Sequence, residues 1–278
     1  MSRPSLFRKL LVPGADVLHG LDRCLDRGTA GLGLTLFGLV LGWWIYVPLH
    51  ELLHAAACLL AGGEVTRLEI DALYGGALLA RIFSFVVPAS DYAGRLSGFD
   101  THGSDLVYLA TDLGPFVLTV FPGVWLLRWA AAGRNALLFG MSLPFALAPF
   151  LSLTGDAYEI GSILTTWLPP WNVPDLRALL RGDDLLRKVE ELRALEDAPW
   201  GGALLSTLLG GIWAFATWWL GHAVARLAGQ GPVGPRAIPQ ADSRSQSLSG
   251  ASMAIERPPS EPMKMGSLTT RTLPPPTA

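Results

Sequence analysis

This chain has 278 residues, half of them hydrophobic and only 16% charged, well short of the quarter or so that coats an ordinary water-soluble domain. A net charge of −2 without a long basic run gives no grip on nucleic acid, and none is expected as a partner. Two cysteines, Cys24 and Cys58, are too few for a disulfide framework.

The first 28 residues place Leu6, Phe7, Leu10, Leu11, Val17, Leu18, Leu21 and Leu25 at helical spacing beside Arg and Lys. That is the pattern of an amphipathic segment lying on a bilayer, or of a frayed tail. Pro13, Asp16 and Asp22 interrupt it before the apolar core of a cleavable signal can form. Residues 28–49 then carry no charge, and the apolar run, extended to a span over 29–61, is long enough to cross about 30 Å of hydrocarbon. Residues 64–87 hold β-branched and aromatic residues in two runs divided by Tyr74-Gly75-Gly76, which predicts a β-hairpin. The Gly-, Ser- and Asp-rich stretch after Pro88 reads as an irregular loop.

A second span is expected over 106–129, with Asp112 as the one ionisable residue in residues 106–127, and a third over 135–158, with no charge in residues 135–155. The few residues joining them around Arg134 make them antiparallel neighbours. Leucines at a period of three to four predict a surface helix over 174–197, started by Pro174 and broken at Gly182. A fourth span covers 200–226, with His222 inside it. Most of the tryptophans fall near the ends of these windows, where amphipathic rings favour the headgroup region. From 228 to 278 the composition turns to Gly, Pro, Ser, Gln and Thr, and a disordered tail is expected. The fold expected is therefore an all-α membrane protein, multi-pass in a cell membrane of bacterial type. It has about four transmembrane helices, a β-hairpin after the first, and one membrane-embedded domain over 29–227.

The chemistry sits in the first span, where GWWIYVPLHELLHAAACLL contains His50, Glu51 and His54. Four residues apart on a helix, the two imidazoles project from one face and can share a Zn²⁺ ion. In an HExxH arrangement the glutamate is the base toward the water that the metal activates. Ionisable side chains inside a spanning helix cost about 3 kcal/mol each, so three together call for a function. A catalytic zinc takes a third protein ligand, and SLTGDAYEIGS supplies one. From residue 29 to His50 and from residue 135 to Asp156 the helix rise is about 31 Å each, and the two spans run in the same direction. Both endpoints thus reach one membrane face at similar depth. Asp156 is the expected ligand, with Glu159 one turn on as the alternative.

Asp112 approaches the same face, either as an acceptor that orients a liganding imidazole or as a residue at headgroup level. His102 reads as a solvated loop histidine, Cys58 as packing two turns beyond His50, and His222 as meeting a neighbouring helix or the membrane interface, while His19 has no visible partner.

HELLH in the first long hydrophobic helix, a hairpin after it and an aspartate ending a later span resemble the site-2 protease family of intramembrane zinc metalloproteases over residues 30 to 165. The resemblance implies His50, His54 and Asp156 as zinc ligands and Glu51 as catalytic base. It also implies residues 64–87 as a sheet edge that receives an unwound substrate from a membrane protein or peptide. Where that family has an LDG-type motif with prolines and an asparagine, this chain has LTGDAYE, closer to an SGD-like variant, and no PDZ-like insertion fits between spans two and three. Lys and Arg counts place the site outside the cytoplasm, whereas the resemblance implies the cytoplasmic side. The rival readings are a membrane protein that binds or transports a metal without hydrolysis, and an inactive scaffold.

Overall fold

The computed structural model describes residues 12–88, 91–182, 184–231 and 233. Helix α1 (Val12–Leu25) leads into α2 (Thr29–Leu60), followed by strands β1 (Glu64–Ile70), β2 (Val86–Val87) and β3 (Gly94–Asp100). Then come α3 (Asp105–Leu113), α4 (Val124–Ala132), α5 (Ala136–Leu151), α6 (Asp156–Thr165), α7 (Pro174–Leu180), α8 (Leu185–Arg193) and α9 (Trp200–Leu227). Four stretches are long and apolar enough to cross a membrane: Thr29–Leu60, Asp105–Ala132, Ala136–Thr165 and Trp200–Leu227. The membrane-helical architecture matches the one expected.

Two of these stretches are broken. Asp105–Ala132 leaves helical geometry at Phe121 (φ −154°, ψ 130°), the residue that precedes Pro122, because a following proline disfavours the α region. Ala136–Thr165 breaks at residues 152–155, and the carbonyl of Thr154 accepts the backbone N–H of Leu185 at 2.8 Å. Asp156 thereby becomes the first residue of a new helix instead of the last of an old one.

The central contact is α2 against α5. Small residues let the backbones meet: a Cβ on Gly42 would overlap the carbonyl of Met141, and one on Gly140 would overlap that of Thr35. Thr35, Gly42 and Tyr46 meet Gly140, Met141 and Phe145 in ascending order, so the helices are parallel. Helix α6 packs antiparallel on α9, with Gly210 against Ala157 and Ser206 Oγ donating to Thr165 Oγ1 at 3.1 Å.

The sheet differs from the hairpin expected over 64–87. Its order is β2-β1-β3, with β2 parallel to β1 and β3 antiparallel to it. Gly75 does take a left-handed turn (φ 84°), but residues 71–85 continue through a 3-10 turn and one helical turn as the crossover that parallel pairing requires. The antiparallel partner is 94–100, read as loop from sequence; its glycines and charges hide a strand whose order comes from pairing with β1.

The crossover lies along α2. Trp44 Nε1 donates to the carbonyl of Leu73 at 2.6 Å and Trp43 Nε1 to Tyr74 Oη at 3.3 Å. Leu73 is exposed there beside the middle of the span, which suits lipid contact. The backbone donors of Tyr74, Gly75, Leu79 and Ala80 are satisfied within the same turns, as a segment at that depth needs.

The surface helix predicted over 174–197 is two helices, α7 and α8, parted next to Gly182 as expected. Helix α1 packs on the bundle, with Gly20 against Phe139 and Ala131, and buries Asp16 and Cys24. Burial pushes the Asp16 carboxyl up and the facing Arg128 guanidinium pulls it down. The first residues of the tail expected from 228 are held to the bundle: Gln230 Nε2 donates to the carbonyl of Trp125, and the Val233 carbonyl accepts from His19 Nδ1 at 3.0 Å. The disorder expected beyond 233, like residues 1–11 of the amphipathic segment, lies outside the described residues.

Candidate metal centre

His50 and His54 stand one turn apart on α2, and the residues flanking them fix both rings. His54 Nδ1 lies 2.9 Å from the carbonyl of Thr111. A carbonyl only accepts, so Nδ1 carries the proton and Nε2 presents its lone pair. Tyr46, one turn before His50, places its hydroxyl 2.6 Å from His50 Nδ1, and its ring stands edge-on to Phe145 with centroids 5.3 Å apart. Both Nε2 atoms therefore face inward, 3.1 Å apart.

Asp156 completes the group. Its Oδ2 is 3.1 Å from His50 Nε2 and its Oδ1 is 3.6 Å from His54 Nε2. One ligand atom from each residue lies within 4.8 Å of the others, so His50, His54 and Asp156 could hold one metal ion. The spacings suit that use, because metal–ligand bonds of about 2.0 Å at the tetrahedral angle set ligand atoms about 3.3 Å apart. Asp156 Oδ2 is also buried with no hydrogen bond of normal geometry, and an electron-rich oxygen left so is one a cation would satisfy. Its place in the first turn of α6 adds the positive end of the helix dipole.

A cavity of about 560 Å³ opens beside this group, lined by Glu51, His54, Asp156, Glu159, Tyr108 and β3, among others. Glu51 points at β3 where the strand has no side chain: a Cβ on Gly94 would overlap Glu51 Cγ. The sheet order makes β3 an edge strand, with β1 on one side and, among the described residues, no strand on the other. The wall also includes Gly182, Leu186 and Arg187. It is held down by Arg181, which donates to Asp105 Oδ1 at 2.7 Å and, through Nη2, to Thr166 Oγ1 at 2.8 Å. His50 lies about 15 Å of helix rise short of Leu60, so the group is held along α2 and not at its end.

Glu159, the alternative third ligand, is engaged elsewhere, accepting the Tyr108 hydroxyl. Asp112 is buried and lines the cavity, but the imidazole of His54 is oriented by the backbone oxygen of its neighbour Thr111. His102 is exposed beside Asp100 and Glu64 and does not line the cavity. Cys58 is buried, 3.7 Å from the carbonyl of Glu64, as packing. Tyr46 carried a signal the sequence reading passed over, since it shares the His50 face four residues earlier. Thr111 carried none, because a backbone oxygen has no residue type.

No family model, curated protein or solved structure matches this chain.

Proposed function

We propose that this protein is a zinc-dependent intramembrane endopeptidase that hydrolyses peptide bonds of membrane-associated substrates, working as site-2 proteases do. The observation that carries this reading is the convergence of two imidazole Nε2 atoms and the Asp156 carboxylate about one point, with Glu51 on the wall of the same cavity. Two neutral imidazoles and one carboxylate suit zinc and leave a fourth position free.

When bound, zinc supplies a Lewis acid that polarises a carbonyl and lowers the pKa of a water. Glu51 would take a proton from a water as that water's oxygen adds to the scissile carbonyl, and would hand it to the amine nitrogen as the C–N bond breaks. Thr111 and Tyr46 keep the two imidazoles aimed. Strand β3, rather than residues 64–87 as a whole, is the edge that receives substrate. A transmembrane helix has its carbonyls occupied, so the segment to be cut must first extend, and pairing along β3 would bring its backbone past Glu51. An ion carrier built on the same three ligands has no use for a carboxylate base, nor for a bare strand edge laid against it.

Elemental analysis of the detergent-purified protein is expected to find one zinc per chain, and His54→Ala and Asp156→Ala to have lost it. Cleavage of a membrane-spanning substrate should stop on chelation and return with zinc. Zinc retained in both variants would remove the ligand set, and cleavage unaffected by chelation would remove the reaction. Gly94→Ala, which crowds Glu51 without touching a ligand, is expected to keep zinc while slowing cleavage by about tenfold or more; an unchanged rate would mean that β3 does not hold the substrate against Glu51.

A further inference from the structure

The other end of the bundle holds a second cavity, of about 310 Å³, bounded by Pro13, Trp219, His222, Ala223, Arg226 and Leu227. Gly210 lies against Ala157, beside Asp156, and from Gly210 to His222 helix α9 rises about 18 Å away from the metal centre. Nothing in the proposed reaction uses this cavity.

The protonation of His222 follows from its neighbours. Arg128 Nη1, which can only donate, lies 3.0 Å from His222 Nδ1. Nδ1 is therefore the acceptor, and the ring proton sits on Nε2. His222 is 2% exposed, and its Nε2 is buried without a hydrogen-bond partner. Trp219 Nε1 is likewise buried and unpartnered, and an indole nitrogen only donates. Arg226 brings a guanidinium in the last turn of α9, and no carboxylate pairs with it among the described residues. The nearby positive charge of Arg128 is already met by Asp16. Every polar side chain that lines the cavity is thus a hydrogen-bond donor, two of them with buried and unpartnered N–H groups, and the exposed Arg226 adds a positive charge.

The two buried donors left unmatched cost free energy that an acceptor recovers, and together with the guanidinium of Arg226 they suit an anion with several oxygens. We propose that this cavity binds a phosphate group, that of a phospholipid headgroup. Its place at the end of a spanning helix is where lipid phosphates lie, and Pro13, Ala223 and Leu227 offer apolar surface to the glycerol and first acyl carbons.

The test uses the full chain in detergent, titrated with phosphatidylglycerol, with diacylglycerol of the same chains and with inorganic phosphate, bound species being counted by native mass spectrometry. One phosphatidylglycerol is expected to bind saturably and diacylglycerol not to. Trp219→Phe, which keeps the ring and removes one N–H, should weaken binding on the order of tenfold, and Arg226→Gln by more. Melting temperature reports folding; if Arg226→Gln melts lower than the wild type, Trp219→Phe decides. Inorganic phosphate that fails to compete supports the lipid source. Inorganic phosphate that displaces phosphatidylglycerol at matched concentration overturns that source and leaves a site for free phosphate. Equal binding of diacylglycerol, or binding that neither variant weakens, overturns the proposal.

Discussion

Glu51→Gln is expected to lower the cleavage rate by about 10²- to 10⁴-fold, the range that a positioned general base contributes, while zinc content stays at the wild-type level. The two halves of that result come from different atoms. The three groups that converge belong to His50, His54 and Asp156, so an ion held by them would have no reason to leave when Glu51 loses its charge. Glutamine keeps the volume of glutamate against Gly94, so β3 and the cavity wall stay in place, but an amide cannot accept and return a proton at neutral pH. A kinetic assay on a membrane-tethered peptide, run beside elemental analysis of the same preparation, reads both. Cleavage at the wild-type rate would sink the hydrolytic reading and turn the site into one that only holds an ion. Cleavage lost together with zinc would mean that Glu51 is a ligand.

The pairing of spans one and three was legible because it depends on two local quantities, the length of an apolar window and the rise of a helix. Those bring His50 and Asp156 to one depth without knowledge of any contact, and the two side chains do lie 3.1 Å apart. The choice between Asp156 and Glu159 was not decided by sequence, since both occupy one helical face; Tyr108, on another helix, claims Glu159. The sheet misled for a similar reason. Tyr74-Gly75-Gly76 is a true turn, but whether a turn reverses the chain or starts a crossover is set by the partner strand, and that partner, 94–100, has two glycines and no alternating pattern. Nothing in the sequence around Arg128, which follows an apolar run, marks it as buried. Its carboxylate partner, Asp16, is far away in sequence, in a segment whose periodicity speaks for the bilayer surface, and nothing local joins the two.

That buried pair sets the second large effect. Arg128 is 1% exposed and Asp16 2%, and the guanidinium also donates to the carbonyl of Gly231 at 2.7 Å. One side chain thus ties α1, α4 and the segment after α9. Arg128→Met is expected to destabilise the folded protein by about 3–5 kcal/mol, the usual cost of stranding one member of a buried ion pair. Replacing both members, Asp16→Leu with Arg128→Met, should recover most of that loss, because apolar side chains of similar volume can fill such a site without a desolvation cost. The single variant also acquires a pH dependence. Burial already raises the Asp16 carboxyl against the pull of Arg128, and without Arg128 nothing of that strength opposes it. A group raised in the folded state stabilises below its unfolded pKa and loses that contribution as pH rises, so the deficit of Arg128→Met should shrink as pH falls toward the ordinary carboxylate range. Denaturant titrations in detergent at two pH values measure all three quantities. If Arg128→Met and the double variant are equally unstable, the damage lies in lost packing or in the freed carbonyls, and charge stranded on Asp16 is not its cause.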